Sequence, residues 1–314
     1  MHSKSIAVVG ATGAVGAVTM RLLRERGHEN VRAFASSRSA GRELDGGILV
    51  EEATPEALEA AGVDLALFSV GTSASRELVP HAVRGGAVAV DKSSAYRLEP
   101  GVPLVVPEVN GARAREHDGI VANPNCCTIP LTCVLGPLHE AAGLTRVRVS
   151  TYQAVSGKGA QRLEQLLAEA PADHDLSMDW SWEGDETDEE SKIRAETRKI
   201  LELPELPISA TTVRVPVPVG HAESVWIELE EPLSPEQAAA ILAAAPSVQL
   251  VDVPTPRAAA QTDDVLVGRI RPDYAAGGNA LTLFLACDNL NKGAALNAIQ
   301  IAELLLGDRV AARC

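Results

Sequence analysis

The stretch Ser5–Gly16, SIAVVGATGAVG, runs from a short apolar segment into a turn with glycines at 10, 13 and 16. The apolar run is bounded by glycine and reads as a buried strand. Residues 14 to 26 follow with helical spacing, Val15, Val18, Leu22 and Leu23 falling on one side. Glycines between such a strand and helix let the backbone bend tightly and approach a pyrophosphate at the helix N-terminus. The spacing is GxxGxxG rather than GxGxxG, so the bare pattern is weak, and a glycine turn can also serve packing alone. Its place after the first strand is what points to a dinucleotide. Gly10, Thr12, Gly13, Ala14, Val15 and Gly16 are the candidate cofactor-binding turn.

Outward from that turn, the first half alternates strands and helices. NVRAFASS, DLALFSVG and GAVAVD read as strands, PEALEAAG and residues 74 to 84 as helices. Such alternation specifies an α/β fold, here an N-terminal Rossmann-like parallel sheet. Beyond residue 145 the style changes. RVRVSTYQAV, TTVRVPVPVG, SVWIELE, DVLVGRI and ALTLFLACD read as strands, and helices are fewer, at about 158 to 169, 191 to 200 and 235 to 245. A second, mixed α+β domain is expected. The acidic run EGDETDEE, Glu183–Glu190, reads as a solvated loop entering a helix. NKGAALNAIQIAELLL reads as an amphipathic helix that returns to the first domain.

The end of the second strand selects the cofactor. NAD sites usually place an acid there for the ribose hydroxyls. Here Ser36, Ser37, Arg38 and Ser39 stand instead, with no acid. Hydroxyls and a guanidinium suit a 2′-phosphate, so NADP(H) is expected over NAD(H). Short-chain NADP enzymes need a Tyr-x-x-x-Lys pair. Tyr96, Tyr152 and Tyr274 are followed four residues on by Pro100, Ser156 and Gly278, which closes that route.

Composition narrows the partners. A net charge of -14 and no basic run argue against nucleic acid. No apolar run approaches a membrane span, and the start is too polar for a secretory signal. Five cysteines, odd in number and without CxxC or HExxH, argue against a disulfide framework or a zinc site and for a reducing cytoplasm. No metal is expected.

Two of those cysteines are adjacent, in VANPNCCTIP. Cys126 precedes a helical stretch in which Pro130 is tolerated in the first turn. Unpaired N–H groups and the helix dipole favour a thiolate there, and a thiolate attacks acyl groups to give a thioester. A buried, inert cysteine is the competing reading of the same spacing.

ANPNC, STYQAVSG, ETRKIL, VRVPVPVGHAES, VGRIRPD and DNLNKGAALNAIQIAE, with GATGAVG and VPLVVPEVN, occur in an order that resembles the aspartate-semialdehyde dehydrogenases, from residue 5 to about 306. The resemblance implies NADP-dependent reductive dephosphorylation of L-aspartyl 4-phosphate to the 4-semialdehyde through a cysteine thioester, a step toward lysine, threonine and methionine. It implies Cys126 as nucleophile, His221 as acid/base and Gln153 orienting the intermediate. It implies Arg214 on the substrate carboxylate and Glu189 on the amine, with Glu190 one residue away as the alternative. Lys192, Arg97 and Asn125 are implied for phosphate. It further implies an NADP-binding domain over 1–127, completed by a helix at 293–314, a catalytic and dimerisation domain over 128–292, and a homodimer.

The chain departs from the family at Cys127, where serine is common, at Pro130, where glutamine is common, and in SVGTSAS, where the family has a glycine-richer turn. It is also somewhat short. These departures leave open a paralogue with another substrate, N-acetyl-gamma-glutamyl-phosphate reductase chemistry, or a silent NADP-binding module. STYQAVSG and RVPVPVGHAES favour the aspartyl enzyme. A silent module would be expected to lose Cys126 or His221, and both are present.

Overall fold

The structure, a computed structural model, describes residues 4–276 and 278–307. The chain forms two compact units. One comprises the chain up to Pro124 together with the chain from Ala294 on, and the other is Asn125–Gly293.

In the first unit, β1 (Ile6–Val9) leads through the glycine turn into α1 (Ala14–Glu25). Then come β2 (Val31–Ala35), β3 (Glu43–Leu44), β4 (Ile48–Glu52), α2 (Pro55–Glu59), β5 (Leu65–Phe68), α3 (Thr72–Arg84) and β6 (Val88–Asp91). A short α4 (Pro107–Asn110) and β7 (Ile120–Ala122) follow. The sheet order is β3-β4-β2-β1-β5-β6-β7, parallel except for the β3–β4 hairpin. Every residue of β1 and β5 is buried, as expected for strands covered on both faces. Leu22 and Leu23 of α1 pack on one face, with Val15 and Val18 partly buried beside them; Leu58, Leu78 and Val79 pack on the other. Each such leucine contributes roughly 1.5–3 kcal/mol of burial. The strand order reverses at β1, so the glycine turn at its carboxyl end lies where ligands bind in open α/β sheets.

The sequence reading passes over β3, β4 and β7. β3 and β7 are only 2 and 3 residues long, too short for a periodic signal. The C-terminal helix is α10 (Leu296–Leu306), which starts after a π-helical turn at Asn291–Ala295 and not at the expected 293; residues 308–314 lie outside the described residues. Within the first unit α10 joins the core through Ile299 and Ala302. Arg26 holds Glu303 with two bonds of 2.6 Å, and Asn297 donates to Val105 C=O and to Asn123 Oδ1.

The second unit opens with α5 (Thr128–Ala142) and β8 (Leu144–Gln153). α6 (Ala160–Ala168) and a small hairpin, β9 (Trp182–Glu183) and β10 (Glu186–Thr187), lead to α7 (Asp188–Leu201). Then come β11 (Ile208–Arg214), β12 (His221–Leu229), α8 (Pro235–Ala244), β13 (Val248–Leu250), α9 (Pro256–Ala259), β14 (Val265–Pro272) and β15 (Ala280–Cys287). The six-stranded sheet has the order β11-β8-β12-β15-β14-β13 and is mixed: β8–β12, β12–β15 and β14–β15 are antiparallel, β8–β11 and β13–β14 parallel. Alternation assigns its faces. Val147, Val149, Thr151 and Gln153 of β8 are buried on one face, which α5 covers. Arg148 and Tyr152 are exposed on the other, beside half-buried Trp226 and Phe284.

Two expectations change here. The strand expected over TTVRVPVPVG stops at Arg214, because Pro216 and Pro218 have no N–H for a ladder; Val217 and Pro218 instead accept from the N–H groups of Val155 and Ser156. The acidic run is solvated only in its first part. Thr187 caps α7 in a capping box with Glu190, which starts the helix at Asp188 rather than 191 and buries Glu189 and Glu190. The first compact unit runs to Pro124, and the next residue, Asn125, donates its N–H and side-chain amide to Glu196 and Glu189 of α7.

Candidate active site

The second unit gathers its polar side chains by sheet register. Arg214 of β11 sits opposite Gln153 of β8, while Tyr152 of β8 pairs with Ala222 of β12, which puts His221 beside Gln153. Arg214, Gln153 and His221 thus form one row across three strands, each 5% exposed or less. Glu223, two residues along β12, falls on the same face as His221.

Cys126 meets this row from the start of α5. Asn125 builds the turn: its C=O accepts from Ile129 N–H at 3.0 Å and its Oδ1 from Cys127 N–H at 2.8 Å. Cys126 is half-buried, and its Sγ lies 3.3 Å from His221 Nε2. On the far side of the ring, Ala154 N–H donates to Nδ1 at 2.9 Å. A nitrogen that accepts cannot carry the proton, so the neutral ring presents Nε2–H to the sulfur. The adjacent Cys127 thiol, then the hydrogen bond from His221 and the charge of Arg214, hold the Cys126 thiol well below its ordinary value despite burial. Cys127 is fully buried, and burial pushes its thiol well up. The two neighbours are thus pushed in opposite directions: Cys126 toward the thiolate, facing a proton donor, and the enclosed Cys127 toward the thiol.

Glu189, on the first turn of α7, accepts from Asn125 Nδ2 at 2.9 Å and Gln153 Nε2 at 3.1 Å. Burial, then the Cys126 charge, raise its pKa against those bonds. Glu190 is spent on structure, accepting from the N–H groups of Thr187 and Thr212. Of the two, Glu189 is the one in the cluster. Lys192 follows Glu189 by three residues, and its ammonium pairs with Asp188 at 2.7 Å.

Arg214 carries the charge of the row. Its Nη1 donates to Ala154 C=O at 3.1 Å, its Nη2 lies 3.3 Å from Asp179, and its guanidinium sits 4.5 Å from the centre of the Trp180 ring. Lys158 also pairs with Asp179, at 2.7 Å. Against the burial that raises it, these two cations hold Asp179 below the usual carboxylate range. Sequence reading missed Lys158, Asp179 and Trp180, which lie in segments without periodicity, and the buried Glu196 and Glu223. For Glu223 a signal existed: a charged residue placed two positions from His221 on a strand must share its face.

In the first unit, Gly10 has φ +86°, and a Cβ there would run into the Ser69 carbonyl; one at Gly16 would run into the Gly10 carbonyl. Only glycine fits these two positions. Gly13 is the exposed N-cap of α1, and no side chain caps that helix, so its first N–H groups remain for an anion. Thr12 Oγ1 bonds Ser39 Oγ at 3.3 Å, which brings the candidate 36–39 segment to the turn, with Ser36, Ser37 and Arg38 exposed. The turn fits a dinucleotide pyrophosphate. Arg97, which by itself reads as a surface arginine, is 8% exposed and donates to the carbonyls of Asn123 and Lys92.

The chain matches two family models, "Semialdehyde dehydrogenase, NAD binding domain" over residues 5–117 and "Semialdehyde dehydrogenase, dimerisation domain" over 135–292. It is 46% identical to an aspartate-semialdehyde dehydrogenase of Corynebacterium melassecola, covering 96% of this chain and 99% of that one. With the enzyme of Bacillus subtilis the identity is 41%, covering 96% of each. Among solved structures it resembles aspartate semialdehyde dehydrogenase II of Vibrio cholerae complexed with ASA, with a TM-score of 0.92 and 35% identity over 98% of this chain and 99% of that one. It also resembles the NADP complex of the Candida albicans enzyme, with a TM-score of 0.78 and 27% identity over 96% and 98%.

Proposed function

Since the chain belongs to the aspartate-semialdehyde dehydrogenase family, we propose that it reduces L-aspartyl 4-phosphate to L-aspartate 4-semialdehyde through a thioester on Cys126, using NADPH. The observation that carries this reading is the Cys126–His221 pair, with the ring tautomer set by Ala154 N–H. The Cys126 thiolate attacks the acyl carbon and phosphate leaves with the electrons of the C–O bond. When bound, the cofactor supplies the hydride that reduces this thioester. His221 Nε2–H faces the sulfur, where it steadies the thiolate and can give a proton to the oxygen that develops next to it. As the C–S bond breaks, His221 takes that proton back, the carbonyl re-forms, the sulfur leaves as thiolate and the semialdehyde is free.

Gln153 orients the intermediate by its amide, which does not titrate. Arg214 takes the substrate carboxylate in its fork, a place now held in part by Asp179. Glu189 receives the amine; Lys192, Arg97 and Asn125 serve phosphate. The Gly10–Gly16 turn, with Thr12, Gly13, Ala14 and Val15, holds the pyrophosphate, and Ser36, Ser37, Arg38 and Ser39 favour the 2′-phosphate of NADP(H).

On this reading the first unit is the NADP-binding domain and the second the catalytic and dimerisation domain. The face with Tyr152, Trp226 and Phe284 suits a homodimer contact. The pathway role in lysine, threonine and methionine synthesis, in the cytoplasm, follows the family. The test is phosphate-dependent NADP+ reduction with aspartate semialdehyde and with N-acetylglutamate semialdehyde. Activity with the first is expected; activity with the second alone overturns the proposal.

A further inference from the structure

Cys127 forms no bond with the substrate in the reaction above, yet its placement is specific. Its Sγ, the Cys126 Sγ and a ring nitrogen of His221 all lie within 4.8 Å of one another. The two sulfurs differ in access: Cys126 is half-buried and Cys127 is fully enclosed. Gly157 borders the site, where a Cβ would stand 3.0 Å from Arg214 Nη1 and 3.2 Å from His221 Cε1.

We propose that Cys127 is a resolving thiol, which converts peroxide-oxidised Cys126 into a reversible Cys126–Cys127 disulfide. In the first step the Cys126 thiolate attacks one peroxide oxygen. The O–O bond breaks, its electron pair leaves with the other oxygen, and Cys126 becomes a sulfenic acid. In the second, the Cys127 sulfur attacks the Cys126 sulfur. The S–OH bond breaks, and hydroxide takes the thiol proton to leave as water. Two thiols are oxidised by two electrons, and hydrogen peroxide is reduced to two waters.

The order of events follows from the environments. The more accessible, half-buried sulfur is shifted toward the thiolate by its neighbours, and burial shifts the enclosed one toward the thiol. Peroxide therefore meets Cys126 first, and Cys127 acts only after a sulfenic acid stands beside it. The link would be strained, because adjacent α-carbons across a trans peptide are about 3.8 Å apart and disulfides usually span about 4.4–6.8 Å. Strain makes such a bond easily reduced. Forming it requires the turn before α5 to give, at the bonds from Cys127 N–H to Asn125 Oδ1 and from Leu131 N–H to Cys127 C=O. A strained bond at a helix end is suited to shielding the nucleophile from further oxidation, and not to bracing the fold.

The experiment treats the full chain with a small excess of hydrogen peroxide and follows the Cys126–Cys127 peptide by mass, with and without dimedone, before and after dithiothreitol. The wild type is expected to lose two hydrogens, resist dimedone and recover fully with dithiothreitol. Cys127→Ser is expected to take up dimedone at Cys126 and to pass to the sulfinic acid at least about tenfold faster than the wild type. Accumulation of sulfinic acid in the wild type at the rate of Cys127→Ser overturns the proposal. If Cys127→Ser does not fold, the wild-type mass decides alone: no loss of two hydrogens overturns it. The readout is covalent mass, so it stands or falls independently of the substrate.

Discussion

At the head of α1, Gly10, Gly13 and Gly16 offer main chain and little else; on the sheet of the second unit, Arg214, Gln153 and His221 offer side chains held in a buried row. The first site is local: its residues are neighbours in the chain and its specificity is backbone shape. The second spans residues 125 to 223 and depends on three strands keeping register. A backbone site should fail by steric clash and loss of folding. A side-chain site should fail in its chemistry while the fold survives.

The largest expected effect tests the chemistry. Cys126→Ser should lower kcat by roughly a thousandfold or more with an unchanged melting temperature, because a serine hydroxyl stays protonated where the thiol ionises. Cys127→Ser should keep most of the turnover; steady-state assays on both variants settle which cysteine is the nucleophile.

Next in size is the clash. Gly16→Ala places a Cβ against the Gly10 carbonyl and should cost about 3 kcal/mol or more, read by denaturant unfolding alongside loss of NADPH binding. A stable, NADPH-binding variant would show that this turn is not tightly constrained.

Arg214→Lys keeps the charge but loses the fork. KM for the substrate should rise about ten- to a hundredfold with the fold intact. On the other side of the comparison, Arg38→Glu should cut the ratio of kcat/KM for NADPH over NADH by about tenfold, through repulsion of the 2′-phosphate. Equal use of NADH and NADPH by the wild type would remove the premise of that test.

The smallest effect is on stability against pH. Glu223 is buried, and burial, then the Cys126 charge, raise its pKa well above the usual carboxylate value. Between the ordinary carboxylate value and that raised value the folded state binds more protons than the unfolded one. Stability is therefore full at the acid side and falls as pH rises through this window. Glu223→Gln should flatten that fall, seen as a melting temperature less dependent on pH.

Residues 5 to 16 show how much of this was legible beforehand. The alternation of apolar runs and helical spacing, the glycine turn and the missing acid at Ser36–Ser39 are local signals, and they predicted the parallel sheet. The ordered motifs pointed to the family and to Cys126. Short strands such as β3 and β7 left no trace, since 2 and 3 residues carry no period.

Sequence by itself determined the identity and spacing of the reactive groups, because covalent order places Cys126 at the start of α5 and His221 two residues from Glu223. Tertiary structure alone decided which of them meet and in what state. Register set Arg214 beside Gln153, a backbone N–H set the histidine tautomer, and the neighbours of two adjacent thiols lowered the pKa of Cys126 while burial raised that of Cys127. Register, burial and local charge arise from residues far apart in the chain, and no local pattern encodes them.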